Sequence, residues 1–313
     1  MRVAVLDDYQ RAAAGLADWA TLEAEVTFFD RHLGGADDVA TALAGFEVVV
    51  AMRERTPFPA ELLARLPALR LLVTTGPRNA AIDLPAAASH GITVCGTGYS
   101  SAATIEHTWA MILAAARHLP TEFASMAAGG WQRTVGVGLS GRTLGLAGLG
   151  NVGSAVARIG VAFGMDVLAW SQHLTAERAE AVGAVAVTKE ELLARSDVLS
   201  IHLVLSGRTR GLFGAAELAA MKPTALLVNS SRGPIVDEPA LVDALQRGVI
   251  AGAALDVFDV EPLPATHPLR SLPTAVLTPH LGYVVDELYG TFYSDAVEDI
   301  HQFRAGTPVR VLA

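Results

Sequence analysis

Thr143-Leu144-Gly145-Leu146-Ala147-Gly148-Leu149-Gly150-Asn151-Val152-Gly153-Ser154 sets a short apolar strand, Thr143–Ala147, directly before G-x-G-x-x-G. A helical run, Ser154–Phe163, follows it. Gly148 permits the tight turn. Gly150 has no Cβ to obstruct a pyrophosphate, and Gly153 lets helix and strand pack closely. The helix start near Asn151 and Val152 offers free N–H groups and a partial positive charge to phosphates. A strand before and a helix after is the context in which this motif holds a dinucleotide. The acid that usually grips the adenosine ribose ~20 residues on is missing. The next strand, Asp166–Trp170, ends at Ser171, which neither holds a ribose diol as a carboxylate does nor repels a 2′-phosphate. His173 and Arg178 lie nearby and can supply positive charge, so NADP stays open; no arginine follows Ser171 directly, and NAD is slightly favoured.

Upstream, Val3–Leu6, Val26–Phe29, Val48–Ala51, Leu69–Thr74 and Ile92–Val94 read as strands. Val39–Ala44 and Pro59–Leu66 between them read as helices. This alternation predicts a parallel sheet with helices on its faces. A long helix is expected over Ser101–Leu119, capped by Ser101 and stopped by Pro120. Downstream of the glycine motif, Val198–His202, Ala225–Asn229, Gly252–Asp256 and Ala275–Thr278 continue a second strand series. Asp286–Phe303 reads as a second long helix, and Val309–Leu312 as a final strand. The two long helices bracket the second series. The expected α/β architecture is therefore one doubly wound domain, 101–283, inserted into another made of 1–100 and 284–313, with a cleft between them.

The chain of 313 residues is 51% apolar, enough for a sizeable core and incompatible with disorder. Its 23 Lys and Arg against 32 Asp and Glu give a net charge of −9. No general attraction for nucleic acid or anionic lipid is expected. The single cysteine, Cys95, excludes an intrachain disulfide and reads as a small buried hydrophobe. The start, Met1-Arg2-Val3-Ala4-Val5-Leu6-Asp7-Asp8, has no signal-peptide core, and no apolar stretch is long enough to span a bilayer. A cytoplasmic location is expected.

Three later strand ends carry chemistry, where ligands gather in open α/β sheets. Asn229-Ser230-Ser231-Arg232-Gly233 follows one, Asp256-Val257-Phe258-Asp259-Val260-Glu261-Pro262 another, and Thr278-Pro279-His280-Leu281-Gly282 a third. Arginine is a permanent cation that can hold a carboxylate in two parallel bonds. Histidine can pass a proton near neutral pH. A carboxylate bonded to that histidine fixes its orientation and favours the protonated acid. Reduction of a 2-oxo acid needs an anchored carboxylate, a proton donor at the carbonyl and a hydride. His107, beside Glu106 on an apolar helix, and His202, at a strand end, read as structural.

These residues, with Phe163-Gly164-Met165, Met221-Lys222-Pro223, Pro234-Ile235-Val236-Asp237-Glu238 and Leu255-Asp256-Val257-Phe258, resemble the D-isomer-specific 2-hydroxyacid dehydrogenases over nearly the whole chain. The resemblance implies two Rossmann-like domains, the NAD(P)-binding domain inserted into the substrate-binding domain, and a homodimer formed through the former. It implies that Arg232 binds the substrate carboxylate and polarises the carbonyl, that His280 is the acid/base and that Glu261 is its partner. Asp256 would sit near the nicotinamide carboxamide, with Leu203, Ser230 and Gly282 lining the cofactor. Arg53 stands where the family often has a substrate-contacting arginine, although Arg53-Glu54-Arg55 equally fits an exposed charge run. The loop Gly76–Asp83 resembles one whose N–H groups hold the carboxylate.

The sequence departs from the family at Ser171, at Val204, where proline is common, and at Arg78, where a second glycine is usual. Arg78 would add a cation beside the substrate and favour a second anionic group, or else face solvent. Tyr283, where small residues are common, would shape the pocket. The runner-up is a dinucleotide-sensing, corepressor-like binding protein, which would need no intact Arg/Glu/His set. No tyrosine has lysine at the Tyr-x-x-x-Lys spacing of the short-chain dehydrogenases, and no Cys/His cluster suggests a metal.

Overall fold

The structure, a computed structural model, describes residues 1–313. It divides into two units, Met1–Ser100 with Val284–Ala313, and Ser101–Tyr283. In the first unit β1 (Arg2–Val5), β2 (Glu25–Phe28), β3 (Val48–Ala51), β4 (Leu71–Thr74) and β5 (Thr93–Gly96) form a parallel sheet in the order β2-β1-β3-β4-β5. β3 and β4 bury every residue, as strands covered on both faces do. The helix expected at 39–44 runs from Ala36 to Leu43, because the Asp38 carboxylate accepts from the Gly35 N–H and opens the helix earlier. Ala60–Leu63, Leu84–Ser89 and the long helix Asp286–Arg304 complete this unit's main helices.

The tail does not form the strand expected over Val309–Leu312. It makes an isolated antiparallel bridge, Cys95 to Val311. Leu312 N–H donates to Val94 O at 2.7 Å and Gly96 N–H to Arg310 O at 2.9 Å. Arg310 stands at φ +50°, which breaks an extended run, and its guanidinium is drawn down to Asp299, 3.1 Å from Nε to Oδ1.

In the second unit β6 (Thr143–Ala147), β7 (Asp166–Trp170), β8 (Val185–Ala186), β9 (Val198–Ile201), β10 (Leu226–Asn229), β11 (Gly252–Leu255) and β12 (Ala275–Leu277) form a parallel sheet, β12-β11-β10-β9-β6-β7-β8. Period-2 alternation splits the strand residues between two cores. Leu199, Ile201, Leu227 and Leu255 face one, with Phe213 and Leu241. Leu144, Leu146, Val198 and Val228 face the other, with Trp109 and Ile112. β8, two residues at the edge, carries too little pattern to be read from sequence.

The helix expected over Ser101–Leu119 is two helices, Ala102–Ala116 and Leu119–Ala127. His118, at φ +51°, breaks the run, and Pro120 lies in the first turn of the second helix, where its missing N–H costs nothing. Ser101 makes no side-chain cap.

Candidate active site

The strand order reverses between β6 and β9, and the glycine turn leaves β6 at that point, where open α/β sheets bind ligands. Gly148 has φ +102°, and a Cβ there would press on the carbonyl of His202. A Cβ on Gly153 would collide with the carbonyl of Gly148. A Cβ on Gly150 would meet nothing within 4 Å. The helix Asn151–Ala162 starts at Gly150 with no side-chain cap, as the unpaired N–H groups of a first turn need to receive an anion. This cradle fits a pyrophosphate. Ser171 follows β7, whose Trp170 carbonyl accepts from Gly148 N–H at 2.8 Å. Leu203 packs on the core beside Gly148. His202 bonds Ser200 Oγ through Nε2 at 2.9 Å, and burial lowers its pKa to about 4, so it is neutral.

After β10, Asn229 knits the loop that presents Arg232. Its Oδ1 accepts from Ser231 N–H and Oγ, and its Nδ2 donates to Arg232 O at 3.0 Å. The Arg232 guanidinium donates to Ser231 O at 2.7 Å. Ser230 Oγ lies 2.7 Å from Thr108 Oγ1, whose own proton goes to Thr104 O, so Ser230 is the donor. Gly233 packs so tightly on Phe258 that a Cβ would overlap that residue's backbone, which brings the loop after β10 against the loop after β11.

Glu261 spans the gap to the third strand end. Its Oε1 accepts from Phe258 N–H at 2.9 Å and its Oε2 lies 2.6 Å from His280 Nδ1. The carboxylate therefore accepts a hydrogen bond from Nδ1–H, which leaves Nε2 as the nitrogen to face a substrate. His280 stands at φ +55°, a strained value for a residue with a Cβ. The ring of Tyr283 packs edge-on against its imidazole, 5.3 Å between centroids.

Asp256 holds that turn. The residue is fully buried. Its Oδ1 accepts from Thr278 Oγ1 at 2.6 Å and Leu281 N–H at 2.7 Å, and its Oδ2 from Gly282 N–H at 2.9 Å. His107 Nε2 is 3.2 Å away. Burial alone pushes the carboxyl up, but bonds from His107, Thr278 and Leu281 outweigh it and hold the group below its usual range. Both oxygens are thus committed within the chain. His107 belongs to this network, a partnership nothing in its sequence surroundings signalled.

In the first unit, Arg53 is at φ +50° and nearly buried. Its N–H donates to Thr75 Oγ1 at 2.9 Å, its Nη1 to Thr75 O at 3.1 Å, and its guanidinium lies 5.1 Å from the centre of the Tyr99 ring. Gly76, at φ +90°, leaves the space that the Arg53 guanidinium fills. Asn79 fixes this pair of loops, donating to Arg53 O at 2.6 Å and Thr74 Oγ1 at 2.9 Å. Arg78, next to it, is exposed. Asn79 is not legible in sequence, because a buried asparagine in a turn has no spacing signature.

Residues 109–282 match the family model described as D-isomer specific 2-hydroxyacid dehydrogenase, NAD binding domain. Glyoxylate reductase of Aeropyrum pernix is 43% identical over 256 residues, 79% of this chain and 76% of that protein. The chain belongs to the D-isomer-specific 2-hydroxyacid dehydrogenase family. A second family relative, D-3-phosphoglycerate dehydrogenase of Bacillus subtilis, is 37% identical over 275 residues, 87% of this chain. That match covers 52% of the relative, so the chain spans about half the length of the phosphoglycerate dehydrogenases it resembles. Among solved family structures, phosphoglycerate oxidoreductase from Vibrio cholerae superposes with TM-score 0.93 at 40% identity, over 98% of this chain and 99% of that one. The two parallel α/β sheets are those of the family's Rossmann-like fold, and the second unit carries its NAD-binding domain. No helix is long and apolar enough to cross a membrane.

Proposed function

We propose that this protein is an NAD(P)-dependent D-2-hydroxyacid dehydrogenase that interconverts a 2-oxo acid and a D-2-hydroxy acid. The observation that carries the reading is the 2.6 Å bond from His280 Nδ1 to Glu261, made by a histidine on a strained backbone. A merely structural histidine needs neither a dedicated carboxylate nor a left-handed conformation. When bound, the reduced nicotinamide supplies a hydride to the carbonyl carbon. Arg232 anchors the substrate carboxylate and draws electron density toward the carbonyl oxygen. As the C=O electron pair moves onto that oxygen, His280 delivers its Nε2 proton there, and Glu261 stabilises the charge on the imidazole. The cofactor role extends to Gly148, Gly150, Asn151, Val152 and Gly153 at the pyrophosphate, and to Ser171, Leu203, Ser230, Asp256 and Gly282 around the rest of the dinucleotide. Asp256 acts there through the Leu281 and Gly282 backbone it holds. In the first unit Arg53, Gly76 and Arg78 contact substrate, and Arg78 selects acids with a second anionic group.

A panel of 2-oxo acids, followed by loss of NADH or NADPH absorbance, tests the reaction class. Turnover with at least one acid is expected, and Arg78→Ala should cost dicarboxylic or phosphorylated acids more than monocarboxylic ones. Equal losses would remove Arg78 from specificity. No oxidation of either cofactor would favour the dinucleotide-sensing alternative.

The working unit is a homodimer formed through the second unit. Phe123, Met126, Trp131 and Val135 are 66, 56, 71 and 92% exposed. They lie on Leu119–Ala127 and the irregular segment after it, which Glu122 ties down by accepting from Arg133 N–H and Thr134 N–H and Oγ1. A fixed arm with clustered exposed apolar side chains supports an interface. Light scattering should give twice the chain mass, and Trp131→Glu should shift it toward monomer.

A further inference from the structure

We propose that the second unit prefers the 2′-phosphorylated cofactor, NADP(H), and that Arg208, with Ser171 and Gln172, receives the 2′-phosphate. The proposal rests on the dinucleotide reading of the glycine turn and narrows it. Ala147 is level with Trp170 of β7 on one side and Ile201 of β9 on the other. The loops that follow β7 and β9 therefore flank the turn Gly148–Gly153. Arg208 belongs to the second of these loops, yet its Nη1 donates to Oε1 of Gln172, at 3.4 Å, in the first. The guanidinium thus reaches the residue next to Ser171, where the adenosine ribose is expected.

Two features prepare it for an anion. The loop that carries Arg208 is closed by its neighbour, since Thr209 Oγ1 donates to Val204 O at 2.7 Å and accepts from Ser206 N–H at 2.8 Å. Its charge is also uncompensated, because its partner is a neutral amide and no carboxylate pairs with it. Around it, the segment Ser171–Arg178 holds one acid, Glu177, which turns back onto its own N–H and the Thr175 hydroxyl at the start of Ala176–Glu180. His173 and Arg178 add further basic groups. A carboxylate at position 171 would repel a phosphate; the Ser171 hydroxyl can donate to one. A planar guanidinium meeting a phosphate in two parallel bonds is the strongest recognition these residues can offer.

Binding measurements test this without turnover. Calorimetric titration with 2′,5′-ADP and 5′-AMP, and fluorescence titration with NADPH and NADH, should show the phosphorylated ligand of each pair bound at least 10-fold tighter. Arg208→Ala should weaken only the phosphorylated ligands, by about 10–100-fold, the size of a hydrogen bond to a charged group. Ser171→Asp should reverse the preference. NADH bound as tightly as NADPH by the unaltered protein, or equal losses for both in Arg208→Ala, would overturn the proposal while leaving the dinucleotide reading intact. Failure to bind any of the four ligands would defeat both.

Discussion

His280 and Arg53 share a feature at the scale of a single residue. Each has a bulky side chain on a left-handed backbone, and each is held there by bonds from outside its own loop. Such strain of ~1–3 kcal/mol persists only where the surroundings over-determine it. For His280 those surroundings set a proton donor, and replacing it by alanine should lower kcat for reduction by about 10²–10⁴, with cofactor affinity little changed. Full turnover in His280→Ala would remove it from the mechanism. Glu261 does two things, orienting the ring and placing a negative charge beside it. Glu261→Gln keeps an oxygen that can accept the Nδ1 proton, whereas Glu261→Ala keeps nothing. A smaller loss of kcat in the glutamine variant than in the alanine variant would separate orientation from charge. The residue types and strand ends were legible in sequence. The 2.6 Å contact and the left-handed turn were not, because Glu261 and His280 lie nineteen positions apart and only folding sets their distance.

At the scale of elements, the acid/base turn hangs from β11 and β12 through one buried carboxylate. Asp256 accepts from both Leu281 N–H and Gly282 N–H. Asp256→Asn turns one acceptor oxygen into a donor facing a donor. Each N–H left without an acceptor costs about 1–3 kcal/mol. Urea unfolding should show that loss, and kcat should fall with it, because the His280 turn is no longer held. Gly233→Ala is the complementary case. A Cβ there overlaps the Phe258 backbone, so the loops carrying Arg232 and Glu261 must part. Activity should fall even where the folded state survives, as circular dichroism would show. Most strands could be read from short apolar runs, since burial on both faces of a sheet imposes them directly. The break at His118 and the kinked tail at Arg310 could not, because a left-handed residue other than glycine leaves no mark in composition.

Across the molecule, the first unit carries a pH-dependent element of its own. Asp299 is fully buried beneath Arg310, close to Asp295, Glu298 and Cys95. Burial pushes its carboxyl up to about 7, against the pull of the Arg310 guanidinium. A raised carboxyl binds its proton more readily when folded. Its contribution is present below the unfolded value of ~3.9 and is lost as pH rises through about 7. Thermal unfolding of Asp299→Asn should vary less between pH 5 and 8 than that of the unaltered protein. Cys95 lies in the same core, with burial pushing its thiol up to about 12. It should resist thiol reagents at pH 8 until the first unit unfolds.

The sequence by itself determined the fold class, most of the strand series and the glycine turn, because short continuous apolar runs and G-x-G-x-x-G are local patterns with local physical causes. It also marked arginine, glutamate and histidine as residues worth bringing together. The tertiary structure decided what brings them together. Asp256 with His107 and Thr278, Gly233 on Phe258, Asn79 under Arg53 and Arg208 reaching Gln172 all join residues distant in the chain. Hydrogen bonds and close packing act over a few ångströms in space, and no spacing along the sequence encodes such distances until the sheets have formed.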